Sequence, residues 1–155
     1  MASSSKRETD LPNPLSPYAC QKLAGEAYAL AFTHRFGLPC VALRYFNVFG
    51  PRQDPLSPYA AVIPRFITAL LAGKPPLIYG DGEQTRDFTY IDNVVEANVA
   101  AALAKGPAMG KAYNIACGQR ISLLRLLEGL QRLTGSRAAP VHEKGRAGDV
   151  KHSLA

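Results

Sequence analysis

Two stretches of this chain carry both ends of a helix in their own side chains, and that punctuation restricts the fold more than any other feature. Ser16 followed by Pro17 is a helix start. The serine hydroxyl takes up an orphan backbone N–H, and proline loses nothing at the first helical position. Gly37 supplies the left-handed stop. Ser122 and Gly135 bracket LLRLLEGLQRLTG in the same way. A further helix is expected from Asp92, read as its N-cap, to roughly Ala104, ended by Gly106. Between the helices lie short β-branched and aromatic runs. Pro39 to Phe46 reads as a buried strand, PLIYGDGEQTRDFTYI as two strands around an Asp81-Gly82 turn, and KAYNIAC and APVHEKG as one strand each. Helices alternating with short strands argue for α/β layers.

The rest reads as connection. Residues 1–15 are polar and proline-rich loop, and NVFGPRQDP and the final RAGDVKHSLA are loops as well. Ser57-Pro58 opens a short helical stretch that Pro64 breaks, unless Pro64 restarts a helix carrying Phe66, Ile67, Leu70 and Leu71 to Gly73. No G-x-G-x-x-G or G-x-x-G-x-x-G follows any strand. The chain reads like the second half of something.

Composition narrows the class. With 155 residues, 47% apolar and 19% charged, the chain has one domain's worth of core and not the composition of a disordered segment. It has no apolar run of about 18 residues and no secretory leader, so a non-secreted cytoplasmic protein with no membrane partner is expected. Cys20, Cys40 and Cys117 fit reduced core thiols, and His34, His142 and His152 make no metal-ligand spacing. The net charge of +6 suits either nucleic acid or a pocket for a small dianion such as a nucleotide diphosphate. The eighteen Lys and Arg form no stripe, which ranks nucleic acid last.

Within SPYACQK, Tyr18 and Lys22 stand four residues apart and so share one helix face. A close ammonium favours the phenolate of a tyrosine whose usual pKa is about 10, and such a tyrosine can take a proton from a substrate hydroxyl. The spacing alone favours the plainer reading, a tyrosine covering the core beside a solvated lysine.

The neighbouring motifs weigh on that choice. LRYFNVFGPRQDP, then SPYAAVIPRF, then IYGDGEQTRDFTYIDNV, then RAGDVKH closely resemble, in order and spacing, the C-terminal half of the NAD-dependent nucleotide-sugar epimerase/dehydratase family. This is the extended branch of the short-chain dehydrogenase/reductase superfamily. The resemblance runs from about Lys6 to Ala155 and is greatest to UDP-hexose and UDP-N-acetylhexosamine 4-epimerases. It implies the last Rossmann helix and strand plus a small α/β substrate-binding subdomain, here residues 16–155, with the N-terminal NAD-binding half missing.

The resemblance also implies roles. Tyr18 and Lys22 match the active-site pair, Lys22 also holding the nicotinamide ribose, and Tyr45 matches a residue packing near the nicotinamide. Asn47 matches an amide that holds substrate phosphate or sugar, and Val62 and Tyr79 match positions sandwiching the uracil. Arg86 and Arg146 match the guanidinium pair on the diphosphate, and Asp149 an acceptor for the uridine ribose. Ser153 falls where a small side chain is associated with N-acetylated sugars. Planar, always-charged, bidentate arginine suits a diphosphate better than lysine does. Read without the resemblance, TRDF is a hairpin with an Arg/Asp surface pair, Arg146 and Asp149 are a solvated pair, and Tyr45 and Val62 are core.

The family's catalytic Ser or Thr lies in an SSS segment well upstream of the tyrosine. Here Ser3-Ser4-Ser5 ends only thirteen positions before Tyr18. Either Ser5 corresponds to that serine with loop residues deleted, or MASSS is an unrelated leader. The resemblance thus implies UDP-sugar 4-epimerisation through a 4-keto intermediate with NAD as cofactor, and family members commonly dimerise through the helix carrying Tyr18. The alternatives are a related dehydratase or decarboxylase, or a truncated UDP-sugar-binding module without turnover.

Overall fold

A computed structural model describes residues 5–56, 61–145 and 151–155. In chain order the elements are α1 (Pro17–Phe36), β1 (Val41–Tyr45), β2 (Asn47–Phe49), α2 (Val62–Leu71), β3 (Leu77–Tyr79), β4 (Thr85–Tyr90), α3 (Ile91–Leu103), β5 (Lys111–Ile115), β6 (Arg120–Ser122), α4 (Leu123–Thr134) and β7 (Val141–Glu143). One 3-10 turn, Gly106–Ala108, follows α3.

The capped helices form as their ends dictate. Ser16 Oγ accepts from the Ala19 N–H at 3.2 Å, and Gly37 closes α1 at φ 71°. Ser122 Oγ accepts from the Arg125 N–H, and Gly135 closes α4 at φ 70°. Pro64 sits in the first turn of α2, where its missing N–H breaks nothing. Asp92 is not the N-cap of α3. Tyr90 holds that position, and Asp92 lies in the first turn, where a carboxylate still favours the positive helix end.

The described strands sort into three small sheets. β1 pairs parallel with β5, Val41 opposite Lys111. β4 is the middle of β2-β4-β6, parallel to β2 and antiparallel to β6. β3 pairs parallel with β7, Ile78 opposite His142. Two expectations change here. The expected loop at Asn47 to Phe49 is a strand, because it lies against β4 with Asn47 opposite Phe88. The stretch around Asp81-Gly82 is no hairpin: β3 and β4 enter different sheets. The reason is their faces. Ile78 of β3 joins the apolar core, whereas the inward positions of β4 are Asp87 and Thr89, both 0% exposed. Gly82 still makes the bend at φ 81°, where a Cβ would meet the Leu124 side chain at 2.8 Å.

The core is Phe66, Leu70, Ile78 and Leu127, with Val62, Leu124, Leu126 and Leu130 packed against it. Phe66 and Leu70 stand four apart on α2 and meet α4. All of this lies on the α2, β3 and α4 side. Helix α1 buries no residue, and β1, expected as buried, is half-buried with Tyr45 47% exposed. Among the described residues β1 has one strand neighbour, β5, so one edge and part of both faces remain open. The cysteines follow the same pattern and are not core thiols: Cys20 and Cys117 are exposed and Cys40 is half-buried.

Candidate functional site

A cleft of about 690 Å³ opens where the N-terminal end of α1 meets the ends of β2, β3 and β4 and the first turn of α2. It brings together five residues singled out from the sequence: Tyr18, Asn47, Val62, Tyr79 and Arg86. They come from five different elements, so chain folding alone collects them.

Each is placed by local geometry. Capping at Ser16 starts α1 so that Tyr18 falls in its first turn. Lys22 Nζ stands 5.4 Å from the Tyr18 ring centroid, which realises the shared helix face. Asn47 opens β2, and its Nδ2 donates to the Asp87 carbonyl at 3.4 Å. Val62 starts α2 and Tyr79 ends β3. Arg86 lies on β4, its Nη1 donating to the Thr85 carbonyl at 2.9 Å and to the Lys151 carbonyl at 3.4 Å.

Other singled-out residues stand elsewhere. Tyr45 points its hydroxyl to Asn98 Oδ1 on α3 at 2.8 Å and does not line the cleft. Ser153 is outside the lining too, its N–H donating to the Thr85 carbonyl at 3.1 Å. Ser5 is exposed and away from the cleft. Arg146 and Asp149 lie outside the described residues.

Sequence reasoning missed Arg65, Gln53 and Gln84, which also line the cleft. Arg65 was legible, since it stands three residues from Val62 on one helix and so shares its side. The glutamines were not. Gln84 Nε2 donates to the Tyr79 carbonyl at 2.6 Å, and Gln53 Nε2 to the Val48 carbonyl at 3.0 Å. A carbonyl accepts only, so each amide is oriented and each Oε1 is buried without a hydrogen-bond partner among the described residues. Such acceptors cost about 1–3 kcal/mol each and need a local reason. With Arg65 and Arg86 against the single carboxylate of Asp54, the lining favours an anion.

The orientation of α1 over the site is set from behind. Glu26, one turn beyond Lys22, receives Arg44 of β1 through Nε at 2.7 Å and Nη2 at 2.6 Å. These hydrogen bonds hold the Glu26 carboxyl below its ordinary range and push the Arg44 guanidinium up. Glu8 accepts the Asn114 N–H at 2.8 Å, which lowers its carboxyl too. Among the described residues no group of three His, Cys, Asp or Glu is placed to hold a metal ion. No described helix is long and apolar enough to cross a membrane.

A dinucleotide needs a glycine-rich turn at its diphosphate, and the sequence contains none. What is present is a solvent-open tyrosine beside a lysine on α1.

Comparison with known proteins gives the wider frame. The profile of the NAD dependent epimerase/dehydratase family matches residues 2–116. A UDP-glucose 4-epimerase of Mycolicibacterium smegmatis is 40% identical over 93% of this chain and 45% of its own length. The UDP-N-acetylglucosamine 4-epimerase of Methanobrevibacter ruminantium, solved with UDP-N-acetylmuramic acid, superposes with a TM-score of 0.93 at 45% identity. That match covers 100% of this chain and 49% of the solved one. The UDP-glucuronic acid 4-epimerase of Bacillus cereus, solved with UDP-glucuronic acid and NAD, superposes at 0.90 and 39% identity, over 99% and 48%. Nucleotide-sugar decarboxylases and dehydratases are among the relatives too. The chain spans about half the length of the curated relatives it matches.

Proposed function

The chain belongs to the NAD dependent epimerase/dehydratase family, and from that premise we propose that it is the substrate-binding half of an NAD-dependent UDP-sugar 4-epimerase. The observation that carries this reading is the single cleft shared by Tyr18, Asn47, Val62, Tyr79 and Arg86. In the complete enzyme Tyr18 takes the proton of the sugar 4-hydroxyl, with Lys22 beside it on the same helix face. Bound NAD supplies acceptance and return of the C4 hydride. Arg86, with Arg146, holds the diphosphate, Asp149 the uridine ribose, Val62 and Tyr79 the uracil, and Asn47 the phosphate or sugar. Lys22 and Tyr45 serve the nicotinamide side, and Ser5 is the candidate for the family hydroxyl.

Firm anchoring of UDP with a loosely held sugar lets the 4-keto sugar rotate and take hydride on its other face. The small Ser153 favours an N-acetylated sugar. Helix α1, with Tyr28 and Phe36 exposed, is the proposed contact between two copies, and sedimentation showing only monomer would remove it. Cytoplasmic residence keeps the three cysteines reduced, so a thiol titration of native protein reads three.

Titration of UDP into the chain tests the reading. Binding is expected, with Arg86→Ala weakening it at least about tenfold, the scale of one charge-assisted hydrogen-bond pair. Absence of UDP binding by the wild type overturns the proposal. The decarboxylase and dehydratase relatives favour a second reading. Co-expression with an NAD-binding half and NMR of the products from UDP-N-acetylglucosamine separates them, because a 4-keto-6-deoxy product sinks the epimerase. UDP binding without turnover leaves a binding module.

A further inference from the structure

We propose that Asp87 is a positioning residue: it clamps the 151–155 segment onto β4 and, through that segment, holds the Arg86 guanidinium at the cleft wall. Asp87 is 0% exposed, and its carboxylate receives three backbone N–H groups. Oδ1 accepts from Cys117 at 3.0 Å, and Oδ2 from Gly118 at 3.0 Å and Ala155 at 3.3 Å. Gly118 at φ 67° lets two successive amides converge on one anion. The third donor comes from a distant part of the chain, so one side chain ties the 117–118 turn and the terminal segment to the same strand. A surface Arg/Asp pair, expected from TRDF, is not what forms. Arg86 and Asp87 point to opposite faces, as neighbours on a strand must.

The clamped segment reaches Arg86 through shared carbonyls. The Thr85 N–H donates to the Lys151 carbonyl at 3.0 Å, and the Ser153 N–H to the Thr85 carbonyl at 3.1 Å. Arg86 Nη1 donates to both of those carbonyls. The guanidinium is therefore held by a two-carbonyl seat, half of which the clamped segment contributes. The segment is joined onward as well, since the Leu154 carbonyl accepts the Lys6 N–H at 2.9 Å and the Lys6 carbonyl accepts Asn114 Nδ2 at 2.9 Å. Thr85 Oγ1 and His152 Nδ1, 2.9 Å apart, add one side-chain link. The consequence for the ligand rests on the UDP-sugar reading above: a seated Arg86 meets a diphosphate without first losing side-chain freedom.

Asp87→Asn is nearly isosteric but turns one acceptor into an NH2 group facing an N–H donor. Ser153→Pro removes a tail donor and leaves the Asp87 contacts to Cys117 and Gly118 in place. In 15N-labelled full chain, NMR reads hydrogen exchange at the Ala155 amide and the Arg86 Nε–Hε signal. Both variants are expected to lower Ala155 protection at least about tenfold and to average the Arg86 signal, as loss of one or two buried hydrogen bonds predicts. Should Asp87→Asn fail to fold, Ser153→Pro decides alone. An unchanged Arg86 signal in a folded variant overturns the clamp. UDP titration of the same samples separates the two ideas. Wild-type binding that weakens in both variants supports the positioning role, and a loosened segment with unchanged UDP affinity overturns it. A wild type that binds no UDP overturns the function, and the exchange and Arg86 readouts still judge the clamp.

Discussion

Glu26 and Arg44 meet fork to fork across the α1–β1 boundary, with side chains 16% and 28% exposed. Such a pair is stronger than a surface bridge because water competes less for both groups. The Glu26 carboxyl is held below 4.5 in the folded chain, chiefly by its hydrogen bonds from Arg44. A lowered carboxyl stabilises the fold fully above the unfolded value of 4.5 and loses that contribution as pH falls through the folded value. Acid titration by circular dichroism is therefore expected to show stability falling below about pH 4.5, with Glu26→Gln flattening that part of the curve. At neutral pH Glu26→Gln is expected to cost about 1–3 kcal/mol in urea denaturation, since Arg44 loses its charged partner. Glu8 moves the same way, yet it is exposed and adds little. Neither pairing was legible, because nothing local joins residues eighteen positions apart, as Glu26 and Arg44 are, or 106 apart, as Glu8 and Asn114 are. Tyr18 and Lys22 were legible, because helical spacing alone fixes their common face.

At the scale of elements, the buried apolar cluster among the described residues comes from α2, β3 and α4, and α1 holds none of it. Phe66 is 1% exposed between α4 and β3, so Phe66→Ala is expected to destabilise by about 3–5 kcal/mol, read from urea midpoints. Leu71, next to Leu70 on the same helix, is 71% exposed, and Leu71→Ala is expected to change the midpoint little. A uniform loss from both would show that α2 does not present one face. α1 and α4 were readable from their caps and stops because those signals act within a turn. The strand partners were not, because β3 and β4 are both β-formers beside a good turn, and only the rest of the chain offers each a better neighbour. The three-residue strands β2 and β6 illustrate the same limit: strands this short exist because β4 lies between them.

Among the described residues the molecule is lopsided, with a packed core around α2, β3 and α4 and an open pair of strands, β1 and β5, beside a helix with no fully buried residue. The expectation for ligands follows from that asymmetry. The cleft has walls, whereas around Tyr18 and Lys22 on α1 the sequence supplies no glycine-rich turn. Isothermal titration of NAD into the isolated chain is expected to show weak or no binding, and a sub-micromolar Kd would refute this. By itself the sequence determined α1 and α4 with their caps, the α/β class, the family through four motifs in register, and the Tyr18–Lys22 face. Each of these is local or is a pattern along the chain. Only the tertiary structure decided that Asn47, Val62, Tyr79 and Arg86 share one cleft with Tyr18, that Gln53 and Gln84 also line it, and that Asp87 gathers two distant segments. Those are contacts between residues far apart in the chain, and which pairs meet depends on where every other element packs.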